Sequence, residues 1–98
     1  MLDIKSTKND KELVFELTGR LDTTTAPEFS TRVDEEVVDL NKLVLDFKGL
    51  EYISSAGLRV VLSALKKMKG EDMIVRNVND DIMDIFEMTG FIDLLTIE

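Results

Sequence analysis

The stretch "LVLDFKGLEYISSAGLRVVLSALKKMK", Leu43 to Lys69, decides the fold. Its first part is nearly continuously apolar through Leu43, Val44, Leu45 and Phe47, which predicts a central strand covered on both faces. From Leu58 the period changes: Leu58, Val61, Leu62, Leu65 and Met68 recur at helical spacing. Lys66, Lys67 and Lys69 place positive charge where it suits a helix C-terminus, and Gly70 stops the helix. A strand therefore feeds a helix directly through Ser54-Ser55-Ala56-Gly57, the alternation that builds parallel sheets.

Upstream of this unit, Leu2 and Ile4 alternate with polar neighbours, Lys8 to Asp10 supply turn residues, and Leu13, Phe15 and Leu17 alternate again. The pattern predicts a hairpin. After Gly19, Thr25 with Glu28 three residues on forms a capping-box sequence, and Pro27 fits the first turn, so a helix is expected to begin near Ala26. Phe29, Val33 and Val37 set its buried face and carry it to about Asp39.

Downstream, "MIVRNV" from Met73 to Val78 reads as a strand. Asn79 is placed to cap a third helix, with Asp80 and Asp81 in its first turn, Val78 and Met83 as a staple, and Ile82, Ile85 and Phe86 facing inward. Gly90 ends that helix in a left-handed turn, and "LLTI" supplies a last short strand. The order β-β-α-β-α-β-α-β requires right-handed crossovers and gives an α/β fold: a mixed sheet with parallel central strands packed by helices.

Length and composition bound the function. At 98 residues and 44% hydrophobic, the chain fits one core and one domain over residues 1–98. Twenty acidic against twelve basic side chains leave a formal charge of -8, which repels nucleic acid and anionic lipid, so a protein partner is expected. The acids are dispersed among apolar positions and read mostly as a solvated surface. With neither cysteine nor histidine, disulfides, thiolate nucleophiles, Ser-His-Asp chemistry and most transition-metal sites are excluded within the chain. "GEDM" and "NDD" read as surface loop and helix start in preference to a calcium site, and the five methionines read as core filling. The segment "MLDIKSTKND" lacks an apolar signal core, and no apolar run approaches the roughly 20 residues that span a bilayer, so no membrane insertion and a cytoplasmic location are expected.

Parallel strands deliver their C-terminal ends to one edge, where sites on open α/β sheets gather. Two loops meet there, "GRLDTTTAP" and "KGLEYISSAG", on strands expected about 4.8 Å apart, which brings Asp22 towards Ser55. If Ser54 caps the helix, the Ser55 hydroxyl is left uncommitted. Gly57 inside the first turn costs about 1 kcal/mol relative to alanine. Two explanations stand: clearance for a docking partner, or relief of crowding against the sheet, with both serines as plain caps. A hydroxyl at a helix N-terminus also suits a phosphate, because N–H groups and dipole favour an anion there. Asp22, Thr23, Thr24 and Thr25 fit a helix-entry loop satisfying its own backbone as well as they fit a recognition loop.

The segments "LTGRLDTTTAPEF", "LVLDFKGLEYISSAGLRVVL" and "FEMTGF", in this order, resemble the STAS domain family, particularly bacterial anti-sigma factor antagonists, over nearly the whole chain. In that family a serine of the strand-to-helix loop is phosphorylated by a partner serine kinase that also acts as the anti-sigma factor, and a PP2C-type phosphatase reverses it. By resemblance the acceptor is Ser55. The family's usual Asp-Ser-Ser-Gly stands here as Ser54-Ser55-Ala56-Gly57, which makes Ser54 a minor competing acceptor. Asp22 matches the loop acid implied to lie in the kinase-contacting surface and to support phosphoryl transfer, flanked by Thr23 and Thr24.

The resemblance thus implies a partner-binding surface of Asp22, Thr23, Thr24, Ser54, Ser55, Ala56, Gly57 and Arg59, with no cofactor, no metal and no catalysis of its own. The expected function is capture of an anti-sigma factor kinase, releasing a sigma factor, with capture switched off by phosphate on Ser55. Related domains also act as constitutive scaffolds in stress-signalling complexes or as subunits of lipid and anion transport systems. A serine hydrolase built on Ser55 is disfavoured, because no histidine can serve as base and no lysine motif replaces it.

Overall fold

A computed structural model describes every residue from Met1 to Glu98. The expected hairpin is β1 (Leu2–Asn9) and β2 (Glu12–Leu21), joined at Asp10, whose φ of 59° turns the chain. Then follow α1 (Ala26–Glu36), β3 (Lys42–Ile53), α2 (Ser55–Lys67), β4 (Asp72–Arg76), α3 (Asp80–Thr89), a single 3-10 turn (Phe91–Asp93) and β5 (Thr96–Ile97). The sheet order is β1-β2-β3-β4-β5, with β1 antiparallel to β2 and every later neighbour parallel. Because the order never reverses, right-handed crossovers carry α1, α2 and α3 to the same face.

Side-chain parity shows which face that is. Leu13, Phe15 and Leu17 of β2, Leu43, Leu45 and Phe47 of β3, and Met73 and Val75 of β4 share one core with Phe29 and Val33 of α1. Leu58, Val61 and Ala64 of α2 and Ile82 and Phe86 of α3 complete it. Phe29 meets Phe15 edge-on at 5.4 Å between centroids, and Phe86 approaches Phe47 at 6.5 Å, so an aromatic pair ties each outer helix to the sheet. The alternate residues Val14, Val44 and Ile74 lie in register on the other face. The reading of β3 as covered on both faces is therefore corrected. Val44 is buried to 7% exposure outside the helix-backed core, between Val14 and Ile74 on the adjoining strands.

Helix ends follow local chemistry. Asn79 caps α3 by accepting a hydrogen bond from the Ile82 N–H at 2.8 Å, and Gly90 closes it with φ at 81°. Val78 and Met83 pack against the core as half-buried residues. Helix α1 stops at Glu36, three residues short of the expected end near Asp39. Val37 is the C-cap, its N–H still bonded to the Val33 carbonyl, and it remains buried. The apolar spacing therefore runs one residue past the last helical residue, and Asp39, at φ 58°, turns the chain two residues further on.

Towards its C-terminal end, β2 is out of step with β3 at two places, between Glu16 and Thr18 and between Gly19 and Arg20. Such irregularities re-aim side chains at a sheet edge. Beyond them Leu21 pairs with Ile53 and both point into the core, while Arg20 pairs with Tyr52.

Candidate functional site

The two loops expected to meet do meet. The Ser54 N–H donates to the Leu21 carbonyl at 2.9 Å, so the last residue of β2 is stitched to the first residue after β3. Around this stitch the β2–α1 loop is held by its own side chains. Asp22 Oδ1 accepts from the Thr24 hydroxyl at 2.7 Å, the Thr24 N–H at 3.0 Å and the Thr25 N–H at 3.2 Å. The Thr24 hydroxyl bond above all, with the other Thr24 and Thr25 bonds, outweighs partial burial and holds the Asp22 carboxyl below its ordinary range.

The expected capping box at Thr25 is absent. Thr25 occupies the cap position with a near-helical backbone and makes no side-chain cap bond to α1. Its hydroxyl turns back to the strand end, donating to the Arg20 carbonyl at 2.8 Å and accepting from the Asp22 N–H at 2.9 Å. Asp22, a charged acceptor, has taken over the loop N–H groups. Its carboxylate is consumed in shaping the loop, and Thr23 and Thr24 are the exposed residues that result.

The β3–α2 corner divides its two hydroxyls as the spacing implies. Ser54 is extended, and its side chain accepts from the Gly57 N–H at 3.4 Å as N-cap. Ser55, the first helical residue, is exposed and its hydroxyl makes no hydrogen bond within the protein. Arg59, four residues on and so on the same helical face, is exposed as well. Ala56 is half-buried against the core.

Gly57 is buried, and the reading of it as clearance for a partner is corrected. A Cβ there would lie 2.8 Å from Leu21 Cγ, 2.8 Å from Ile53 Cγ1 and 3.0 Å from the Leu21 carbonyl oxygen. The missing methyl makes room for the sheet, which lets α2 start tight against the β2–β3 stitch.

Two residues at this corner were not singled out by sequence. The Arg20 guanidinium lies over the Tyr52 ring at 4.5 Å, and Arg20 Nε stands 3.8 Å from Asp22 Oδ2. The available signal was positional: each lies on a strand immediately before its loop, two residues ahead of Asp22 and three ahead of Ser55.

No group of three or more Asp or Glu residues is placed to hold a metal, and no helix is long and apolar enough to cross a membrane. Fold and site together define a small α/β module, helices on one face of the sheet, that offers an unactivated serine hydroxyl at a braced strand-to-helix corner. The chain belongs to the STAS domain family, whose model matches residues 3–98.

Among relatives, the anti-sigma F factor antagonist of Paenibacillus polymyxa is 30% identical over 89 residues, covering 87% of this chain and 76% of that protein. A shorter stretch of 59 residues is 37% identical to the BtrV protein of Bordetella bronchiseptica, and it spans 57% of this chain and only half of that relative. Among solved structures, an anti-sigma factor antagonist from Mycobacterium paratuberculosis superposes with a TM-score of 0.89 at 21% identity, over 99% of this chain and 85% of that one. The Bacillus cell fate determinant SpoIIAA, solved in its phosphorylated form, gives 0.76 at 15% identity, over 98% and 91%. These two likenesses are of fold.

Proposed function

We propose that this protein is an anti-sigma factor antagonist that binds an anti-sigma factor serine kinase and thereby frees a sigma factor. Phosphorylation of Ser55 by that kinase switches the binding off, and a PP2C-type phosphatase restores it. The observation that carries the reading is the split between the two serines: Ser54 is spent on the helix cap, and Ser55 is exposed with a free hydroxyl. It is supported by the antagonist names of relatives and by a protein of the same fold having been solved phosphorylated.

In the transfer, the Ser55 oxygen bonds to the γ-phosphorus of ATP, the bond to the β-γ bridging oxygen breaks, and ADP leaves. The hydroxyl proton goes to a base on the kinase, because nothing in this chain hydrogen-bonds Ser55. Asp22 serves by holding the loop beside the acceptor. The phosphate adds roughly -1.5 to -2 charge at the N-terminus of α2, where the helix dipole tolerates it. The fold therefore survives, while a partner surface fitted to a neutral hydroxyl meets charge and a desolvation cost.

The test is phosphosite mapping after incubation with the cognate kinase and ATP, together with kinase binding by wild type, Ser55→Ala and Ser55→Asp. Phosphate is expected on Ser55 alone, with Ser55→Ala binding tightly and Ser55→Asp poorly. A stable complex indifferent to Ser55→Asp, with no phosphate on Ser55, would point instead to a constitutive scaffold or transport-system subunit.

A further inference from the structure

Resting on the reading of this corner as a partner-docking surface, we infer that Arg20 and Tyr52 form a preformed anchor that receives a carboxylate of the partner protein. The two are paired across β2 and β3 directly after a register shift, with the guanidinium 4.5 Å from the ring centroid. Their chain neighbours Leu21 and Ile53 turn into the helix-backed core, so the stack lies towards the side of the sheet that the helices leave open. The Arg20 side chain is 53% exposed, and Tyr52 is one of the few exposed large apolar residues.

The stack is poised: Arg20 forms a long ion pair with Asp22, and its guanidinium makes no hydrogen bond within the protein. The charged neighbour of Arg20, Asp22 Oδ2, is 3.8 Å away, beyond hydrogen-bond distance, and Asp22 is already occupied through Oδ1 by Thr24 and Thr25. Resting on the ring fixes the guanidinium plane before any partner arrives, so little rotamer freedom remains to be lost on binding. The free donor fork matches a carboxylate with two parallel hydrogen bonds.

Charge selects the partner group. With twenty acidic against twelve basic side chains, the protein as a whole attracts a basic face. A fixed cation at the edge of the docking loops reads an acid on that face and sets its register, as isolated charges do in specific interfaces. Tyrosine and arginine are also the side chains that most often dominate binding energy.

The experiment uses the full chain and the anti-sigma factor kinase that phosphorylates it, with binding measured both without nucleotide and with ADP. Arg20→Ala is expected to weaken binding by about 30-fold, the size of a hot-spot truncation, without lowering the unfolding temperature. Arg20→Lys keeps the charge but not the fork and stays about fivefold weak. Tyr52→Phe, which retains the ring, binds as wild type, whereas Tyr52→Leu does not. Arg20→Glu loses binding, and changing one surface acid of the kinase to lysine restores it.

A readout that needs no partner accompanies these. The Arg20 guanidinium lies over the Tyr52 ring at 4.5 Å, so the Arg20 side-chain protons carry a ring-current shift that Tyr52→Leu abolishes. If Arg20→Ala and Tyr52→Leu bind within about twofold of wild type while Ser55→Asp still blocks binding, the anchor is overturned and the docking reading stands. An Arg20 effect confined to the nucleotide-bound kinase, or no rescue by acid reversal, overturns the carboxylate assignment. A wild type that fails to bind, or binds regardless of Ser55→Asp, overturns the docking reading and the anchor with it.

Discussion

Gly57 and the serines before it separate structure from function within four residues. Ser54 and Gly57 exist for the fold: one caps α2, and the other lets α2 lie against Leu21 and Ile53. Ser55 answers to neither need. Gly57→Ala gains up to about 1 kcal/mol of helix propensity, but overpacking a tight site costs about 1–3 kcal/mol. The 3.0 Å approach to the Leu21 carbonyl is backbone, which cannot rotate away, so overpacking wins. Gly57→Ala should lower stability by about 1–2 kcal/mol, seen as a lower urea midpoint at unchanged slope. A variant as stable as wild type but defective in kinase binding would restore the idea of clearance for a partner.

Among the elements, the caps of α2 and α3 are unequal in a way that the sequence does not show. Ser54 and Asn79 are equivalent N-cap types by pattern. In space, the Ser54 bond is long at 3.4 Å, whereas Asn79 accepts from Ile82 at 2.8 Å and donates its amide to the Leu50 carbonyl of β3 at 3.0 Å. Asn79 therefore both starts α3 and pins it to the central strand. Asn79→Ala should cost about 1.5–2 kcal/mol and raise amide exchange throughout α3, against about 0.5 kcal/mol for Ser54→Ala. Equal costs would show that the tie to Leu50 contributes nothing. The same contrast explains what was legible: element order, the hairpin and the positions of Ser54, Asn79 and Gly90 follow from local pattern. The Thr25 box failed because a stronger acceptor, Asp22, stood three residues earlier. The end of α1 was overrun because Val37 stays buried outside the helix. Arg20 and Tyr52 escaped notice because only the β2–β3 register brings them together.

For the whole molecule, the pattern that makes the sheet one-sided also leaves a charged network on its open face. Asp46 of β3 accepts from Asn77 Nδ2 at 3.0 Å and the Lys48 N–H at 3.0 Å, and pairs with Arg76 at 3.2 Å, linking β3 to the end of β4. Burial, with the Asp46 side chain only 12% exposed, acts to raise its pKa; the bonds from Asn77, Lys48 and Arg76 outweigh this and lower it below the ordinary 3.8. A carboxyl depressed in the folded state contributes stability that is present above its unfolded pKa and lost as pH falls through the folded one. Acidification also relieves the repulsion among an excess of acidic groups, which acts in the opposite direction on total stability. The difference between wild type and Asp46→Asn isolates the network, because the general repulsion nearly cancels. At pH 7 that difference should be about 1–2 kcal/mol, discounted for the part-exposed Arg76, and it should shrink progressively below pH 3.8. Urea denaturation of both proteins from pH 7 to pH 2.5 measures it, and a difference that is constant across that range would remove Asp46 from the forces joining β3 to β4.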